Sequence, residues 1–145
     1  RPAQMERIRP LVMKPNRLEL GEITSLPVDR LEDCVAAARL LLRHGAERVL
    51  VSLDKDGAFL LDREGLLLAR APEVEVRSSV GAGDAMLAWF TAALLIGLPR
   101  EEALRRAVAA GSASCLHYGT HAPSREEAEA LLSRVEIDPA GNLPD

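Results

Sequence analysis

Ser78-Ser79-Val80-Gly81-Ala82-Gly83-Asp84 joins a strictly alternating segment, residues 73–77, to the most apolar segment of the chain, residues 82–96. Alternation predicts a half-exposed strand, and a run that is apolar nearly all round predicts a buried helix. The turn between them carries two glycines, which allow positive φ and close approach of the backbone to another group. The first N–H groups of the helix lack intrahelical partners and lie at the positive end of its macrodipole. A turn of this kind is a receptacle for an anion, a phosphate above all. Its spacing is neither that of a Walker loop, since no Lys follows, nor G-x-G-x-x-G, since Met86 stands at the third glycine position.

Asp84 admits two readings on the residues alone. A carboxylate in a first helical turn is a capping acid. The same carboxylate beside anion-binding N–H groups is a general base for an attacking hydroxyl, with the amides stabilising the charge that develops.

Working outward, residues 11–13 form a short apolar run ending at Lys14-Pro15-Asn16, which predicts a buried strand and a turn. Helical spacing from 30 to 44 predicts a helix, with Asp29 as N-cap, Glu32 three residues on and Gly45 after the last turn. Residues 48–52 read as a second buried strand, so strand, helix and strand make a parallel βαβ pair. Residues 58–61 and 66–69 predict a hairpin. A helix over 101–116 presents Ala103, Ala107, Gly111 and Ser114 for close packing, and a last helix opens at Ser124 with Glu127 as its capping-box partner. The division expected is one domain over 1–137 and a flexible tail over 138–145.

Composition narrows the class. The chain has 145 residues, 48% hydrophobic and 28% charged, with four aromatic residues, so aliphatic side chains fill the core. A net charge of −4 with dispersed basic residues argues against nucleic-acid binding. No apolar run suggests a membrane span or a signal region, and a cytoplasmic protein is expected. Cys34 and Cys115 lie far apart and read as small buried hydrophobes. Of the 18 basic residues only Lys14 and Lys55 are lysine.

The segment from Ser78 to Ala88 resembles the C-terminal signature of the ribokinase-like (PfkB) carbohydrate kinases. Three further stretches extend the resemblance in family order. Leu11-Val12-Met13-Lys14-Pro15-Asn16-Arg17-Leu18-Glu19 is similar to the Asn-x-x-Glu element in its phosphosugar-kinase form. Val49-Leu50-Val51-Ser52-Leu53-Asp54-Lys55-Asp56-Gly57-Ala58 is similar to the strand and turn that meet nucleotide phosphates. Ala110-Gly111-Ser112-Ala113-Ser114-Cys115-Leu116-His117-Tyr118-Gly119-Thr120 resembles the helix and loop flanking the adenine.

The resemblance implies an α/β fold, the C-terminal part of a ribokinase-like three-layer sandwich, with parallel strands, flanking helices and a small antiparallel hairpin. It implies Asp84 as general base, with Gly81, Ala82 and Gly83 forming the anion hole together with the Asp84 N–H. Lys14 would lie near the γ-phosphate, with Asn16 and Glu19 organising Mg²⁺. Ser52, Gly57, Ser79, His117 and Gly119 would line the nucleotide site. Glu19 as a first-turn helix acid, Ser52 as a mere strand end and His117 as a packing histidine are the rival readings.

The activity implied is ATP-dependent phosphoryl transfer to a hydroxyl of a phosphorylated ketose: fructose 1-phosphate, fructose 6-phosphate or tagatose 6-phosphate. A homodimer is implied for the intact enzyme. A ribokinase- or nucleoside-kinase-type acceptor and a non-catalytic nucleotide-binding remnant are the alternatives. Three residues depart from the pattern: Asp54 stands where these kinases commonly have Gly, Trp89 where a small residue is preferred, and His117 where Asn is frequent. The upstream sugar-binding half and lid have no counterpart in the sequence. The chain therefore reads as a fragment that turns over no substrate by itself.

Overall fold

The computed structural model describes residues 12–117 and 122–139. Its elements in order are α1 (Arg17–Thr24), α2 (Leu31–Arg43), β1 (Arg48–Ser52), a 3₁₀ turn (Asp54–Asp56), β2 (Ala58–Asp62) and β3 (Gly65–Arg70). There follow α3 (Ala82–Leu95), α4 (Arg100–Ser114), α5 (Arg125–Leu132) and β4 (Glu136–Pro139). The strands form one antiparallel sheet in the order β1-β2-β3-β4.

Alternation along the strands sorts side chains onto two faces. Val49, Val51, Phe59, Leu61 and Leu66 meet Leu20, Cys34, Val35, Ala38 and Leu41 of α1 and α2. Leu50, Leu60, Leu67 and Ala69 meet Phe90, Leu104, Val108 and Leu131 of α3 to α5. Helices, sheet and helices make three layers, the α/β sandwich expected. Each of the large side chains at full burial, such as Phe59, Phe90 and Leu104, contributes about 1.5–3 kcal/mol.

The expected hairpin is β2 and β3, closed at Asp62↔Gly65. Buried Asp62 receives a two-pronged bond from Arg100, Nε to Oδ2 at 3.0 Å and Nη2 to Oδ1 at 2.7 Å. This ties the hairpin to the start of α4. The small face of α4 is buried as expected, and a Cβ on Gly111 would lie 3.2 Å from Met86 Cε and 3.5 Å from the Ala82 carbonyl. Close packing there sets the start of α3 against α4.

Several expectations are corrected. The expected parallel pair is present, but only as two parallel bridges, Met13↔Val49 and Asn16↔Ser52, because Pro15 has no N–H to continue a ladder. Leu11 lies outside the described residues. Residues 73–77 form no strand and pair with none of the described strands. Cys115 O accepts from the Arg77 and Ser78 N–H groups, and Glu73 O from Arg134, so the segment is held from the helix layer instead. The cap of α2 is Arg30 rather than Asp29, and Asp33 rather than Glu32 returns a carboxylate to the cap N–H, at 3.1 Å. Helix α3 buries only Met86, Phe90 and Ala93, while Leu95 and Ile96 are 81% and 72% exposed, so it is not buried all round. Asp138 and Pro139 belong to β4 rather than to a tail, because their backbone pairs with Leu68 and Leu67.

Candidate active site

The site is assembled where the 12–16 segment, the end of β1 and the start of α3 converge. The bridge Asn16↔Ser52 sets those two residues side by side, and Ser52 N–H donates to Pro15 O at 3.2 Å. Lys14, two residues earlier, reaches the glycine-rich turn. Its Nζ lies 2.7 Å from the place a Cβ on Gly83 would occupy, so only glycine admits the ammonium there without displacement. Among the described residues no acceptor or acid pairs with Lys14.

Gly81 caps α3 with φ 86, a left-handed value suited to glycine, and offers no side-chain acceptor. Ala82 N–H is directed to Ser79 O at 3.3 Å, and Ala85 N–H to Gly81 O at 3.0 Å. The N–H groups of Gly83 and Asp84 have no acceptor among the described residues. Asp84 is exposed, and its carboxylate bonds to nothing described. It occupies the third helical position but does not act as a capping acid. The turn therefore presents two free amides, one ammonium and one free carboxylate, the set that anion binding and proton abstraction require.

Asn16 and Glu19 make a reciprocal capping box at α1. Glu19 N–H donates to Asn16 Oδ1 at 2.8 Å and Asn16 N–H to Glu19 Oε1 at 3.0 Å. The first-turn-acid reading of Glu19 is thus realised, and its second oxygen stays open to solvent. No group of three or more metal-ligating side chains occurs among the described residues. Two oxygen donors of this kind fit a cation that keeps most of its waters, as Mg²⁺ does, and not an all-protein cage.

The remaining expected residues fare differently. Gly57 has φ 108, and a Cβ there would lie 2.0 Å from Ala69 O. Its glycine is demanded by the approach of the 3₁₀ turn to β3, whatever else it touches. Ser79 is exposed and supplies a carbonyl to the turn. His117 Nε2 pairs with Glu127 Oε2 at the start of α5. The Ser124 N–H and the neighbouring His117 hold the Glu127 carboxyl below the usual carboxylate range. Gly119 lies outside the described residues. Trp89 is half-buried against the helix-layer core, so the bulky residue is absorbed by packing. Burial raises both thiols, Cys34 and Cys115, so neither is an activated nucleophile.

Sequence reasoning treated Gly83 as an amide donor and missed that it also seats Lys14. No local pattern signals this, since Lys14 and Gly83 lie 69 positions apart in the sequence. A separate cavity of about 310 Å³ lies beside Arg17, Leu53, Asp56 and Arg70 and includes neither Lys14 nor Asp84. No described helix is long and apolar enough to cross a membrane.

Known proteins of similar sequence and fold show the family to which the chain belongs. The 1-phosphofructokinase of Bacillus subtilis is 37% identical over 130 residues, which are 90% of this chain and 42% of that protein. Phosphofructokinase-2 from Escherichia coli, solved in complex with potassium, superposes with a TM-score of 0.82 at 34% identity, over 89% of this chain and 42% of that one. Arabidopsis thaliana ribokinase, solved with ribose and ATP, gives 0.77 at 30% identity, over 83% and 40%. The fold is therefore ribokinase-like, and the chain spans about two fifths of the length of these relatives. The profile of the pfkB family carbohydrate kinases matches residues 3–128, and the chain belongs to that family.

Proposed function

We propose that this chain supplies the phosphate-binding turn and the catalytic base for ATP-dependent phosphorylation of a ketose phosphate. One observation carries the reading. The Lys14 ammonium, without a described partner, lies against Gly83 at the positive end of α3. A cation beside a helix N-terminus is unfavourable unless an anion sits between them. The arrangement is therefore built for a bound polyanion, and the free Gly83 and Asp84 amides point to the same ligand.

The chemistry follows from the residues. Asp84 accepts the proton of the acceptor hydroxyl as its oxygen bonds to the γ-phosphorus. The bond from that phosphorus to the bridging oxygen breaks, leaving ADP. Charge on the transferring group is met by Lys14 and by the Gly83 and Asp84 N–H groups, with Gly81 providing the left-handed backbone that aims them. Ala82 contributes less, since its N–H is directed to Ser79 O. Asn16 and Glu19 would hold Mg²⁺ through its waters, and that ion supplies neutralisation of phosphate charge. Ser52, beside Asn16, faces the same ligand. The relatives' names favour a fructose phosphate as acceptor over ribose or a nucleoside.

The test is a titration of the 145-residue chain with a non-hydrolysable ATP analogue, followed by backbone amide NMR. Saturable shifts at Gly83 and Asp84, strengthened by Mg²⁺ and not produced by NAD, are expected. Shifts confined to another part of the molecule would overturn the reading.

A further inference from the structure

We propose that Asp54 is a charge selector at the phosphate end of the sheet, disfavouring bare polyphosphate relative to polyphosphate that carries a divalent cation. The inference rests on the polyphosphate reading of the 81–84 turn and adds a residue to which that reading assigns no part.

Asp54 is one of two non-glycine residues with positive φ among the described residues, at 53°, a region that costs an L-residue energy. Leu53 N–H donates to Gly57 O, Asp56 N–H to Leu53 O and Gly57 N–H to Asp54 O. The Asp54 and Lys55 N–H groups have no acceptor among the described residues. Successive free amides around a left-handed residue form a shallow anion-binding concavity. The left-handed residue of this turn itself carries a carboxylate. It is exposed, and no described cation pairs with it, the adjoining Lys55 included.

Its position makes that charge relevant. Two residues span at most about 7 Å of backbone, so Asp54 stays close to Ser52. Ser52 is bridged to Asn16, and Lys14, two residues before Asn16, contacts the Gly83 position. A polyphosphate held by Lys14 and extending along the strand ends toward Ser52 therefore meets the field of Asp54. A triphosphate has about four negative charges when bare and about two with a divalent cation bound. A fixed carboxylate nearby thus repels the bare form about twice as strongly, and the difference is screened by salt.

Three variants separate charge from backbone strain. Asp54→Asn removes the charge and retains a side chain that tolerates the left-handed region. Asp54→Gly removes both charge and strain, and Asp54→Ala removes the charge but keeps the strain. Dissociation constants for pyrophosphate and for an ATP analogue, each with and without Mg²⁺, are read from the Gly83 and Asp84 amide shifts. At low ionic strength all three variants should bind the bare forms about fivefold more tightly and the Mg²⁺ complexes about twofold more tightly. Both gains should shrink at about 0.5 M salt. Equal affinities in wild type and Asp54→Asn would overturn the charge proposal and leave the site reading intact. A gain confined to Asp54→Gly and independent of salt would overturn it in favour of strain alone. Absence of any shift at Gly83 and Asp84 in every protein would overturn the site reading and this proposal together.

Discussion

Helices α1 and α3 begin within reach of the same strand ends, yet their N-termini are built in opposite ways. At α1 the Asn16 side chain and the Glu19 carboxylate close on each other's N–H groups. Helix α5 repeats this with Ser124 and Glu127. At α3 the cap is Gly81, the third-position acid Asp84 bonds to nothing described, and a lysine ammonium stands beside Gly83 with no side-chain capping acceptor. A closed terminus spends its donors on the fold. An open one keeps them for a ligand, and the fold must hold it in place by other means. Here those means are Gly111 packing against Ala82 and Met86, and the Arg77 and Ser78 N–H groups anchored on Cys115 O.

The sharpest way to break this contrast is at the acids. In a full-length kinase carrying this segment, Asp84→Asn should lower kcat by about 10²–10⁴-fold with little change in nucleotide affinity. Steady-state kinetics with ATP and fructose phosphates would decide. Near-wild-type turnover would show that Asp84 is not the base.

Next in size is Gly83→Ala. A methyl group there collides with the Lys14 ammonium at 2.7 Å. The lysine can swing away, so the fold should persist while affinity for an ATP analogue falls about tenfold, as measured by calorimetry. Unchanged affinity would mean that the seating of Lys14 has no part in binding.

A closed terminus should respond in the reverse sense. Ser124→Ala removes the cap of α5 and should cost about 1 kcal/mol in urea unfolding. Asp84→Ala, which loses no hydrogen bond, should stay within about 0.5 kcal/mol. A larger loss at Asp84 than at Ser124 would reverse the assignment of the two ends.

The smallest effect concerns pH. The folded-state pKa of Glu127 is lowered, chiefly by the Ser124 N–H and then by His117. A lowered pKa means that the stabilisation is present above the unfolded value. It is lost as pH falls through the folded one, below the ordinary glutamate range. Glu127→Gln should remove that part of the acid-side slope, and His117→Ala should raise the Glu127 pKa in a carbon-detected NMR titration. A Glu127 titration unmoved by loss of His117 would show that the pair is inconsequential.

Much of this was legible along the chain because it depends on neighbours in sequence. The capping box at Ser124, the β2–β3 hairpin and the small face of α4 follow from residues at most four apart or repeating at helical spacing. The phosphate-type turn at Gly81 was also local, since positive φ and missing intrahelical partners are properties of a few consecutive residues. Misreadings came where a distant segment decided. Residues 73–77 alternate as a strand would, but are held by Cys115 and Arg134 instead of a neighbouring strand. Helix α3 is apolar nearly all round, but only one side has anything described to pack against.

Composition, periodicity and turn chemistry by themselves determined an α/β fold and a glycine-rich helix start with an acid in its first turn. They left Asp84 balanced between capping and catalysis, because both readings require the same residue at the same position. Only the tertiary structure showed that Asp84, unlike Glu19, Asp33 and Glu127, bonds to no cap N–H or other group among the described residues. It alone set Lys14 against Gly83, across 69 positions of sequence, and put Asp54 in a left-handed turn. Hydrogen-bond reach and steric exclusion act through space, and a one-dimensional pattern does not encode which distant atoms they will bring together.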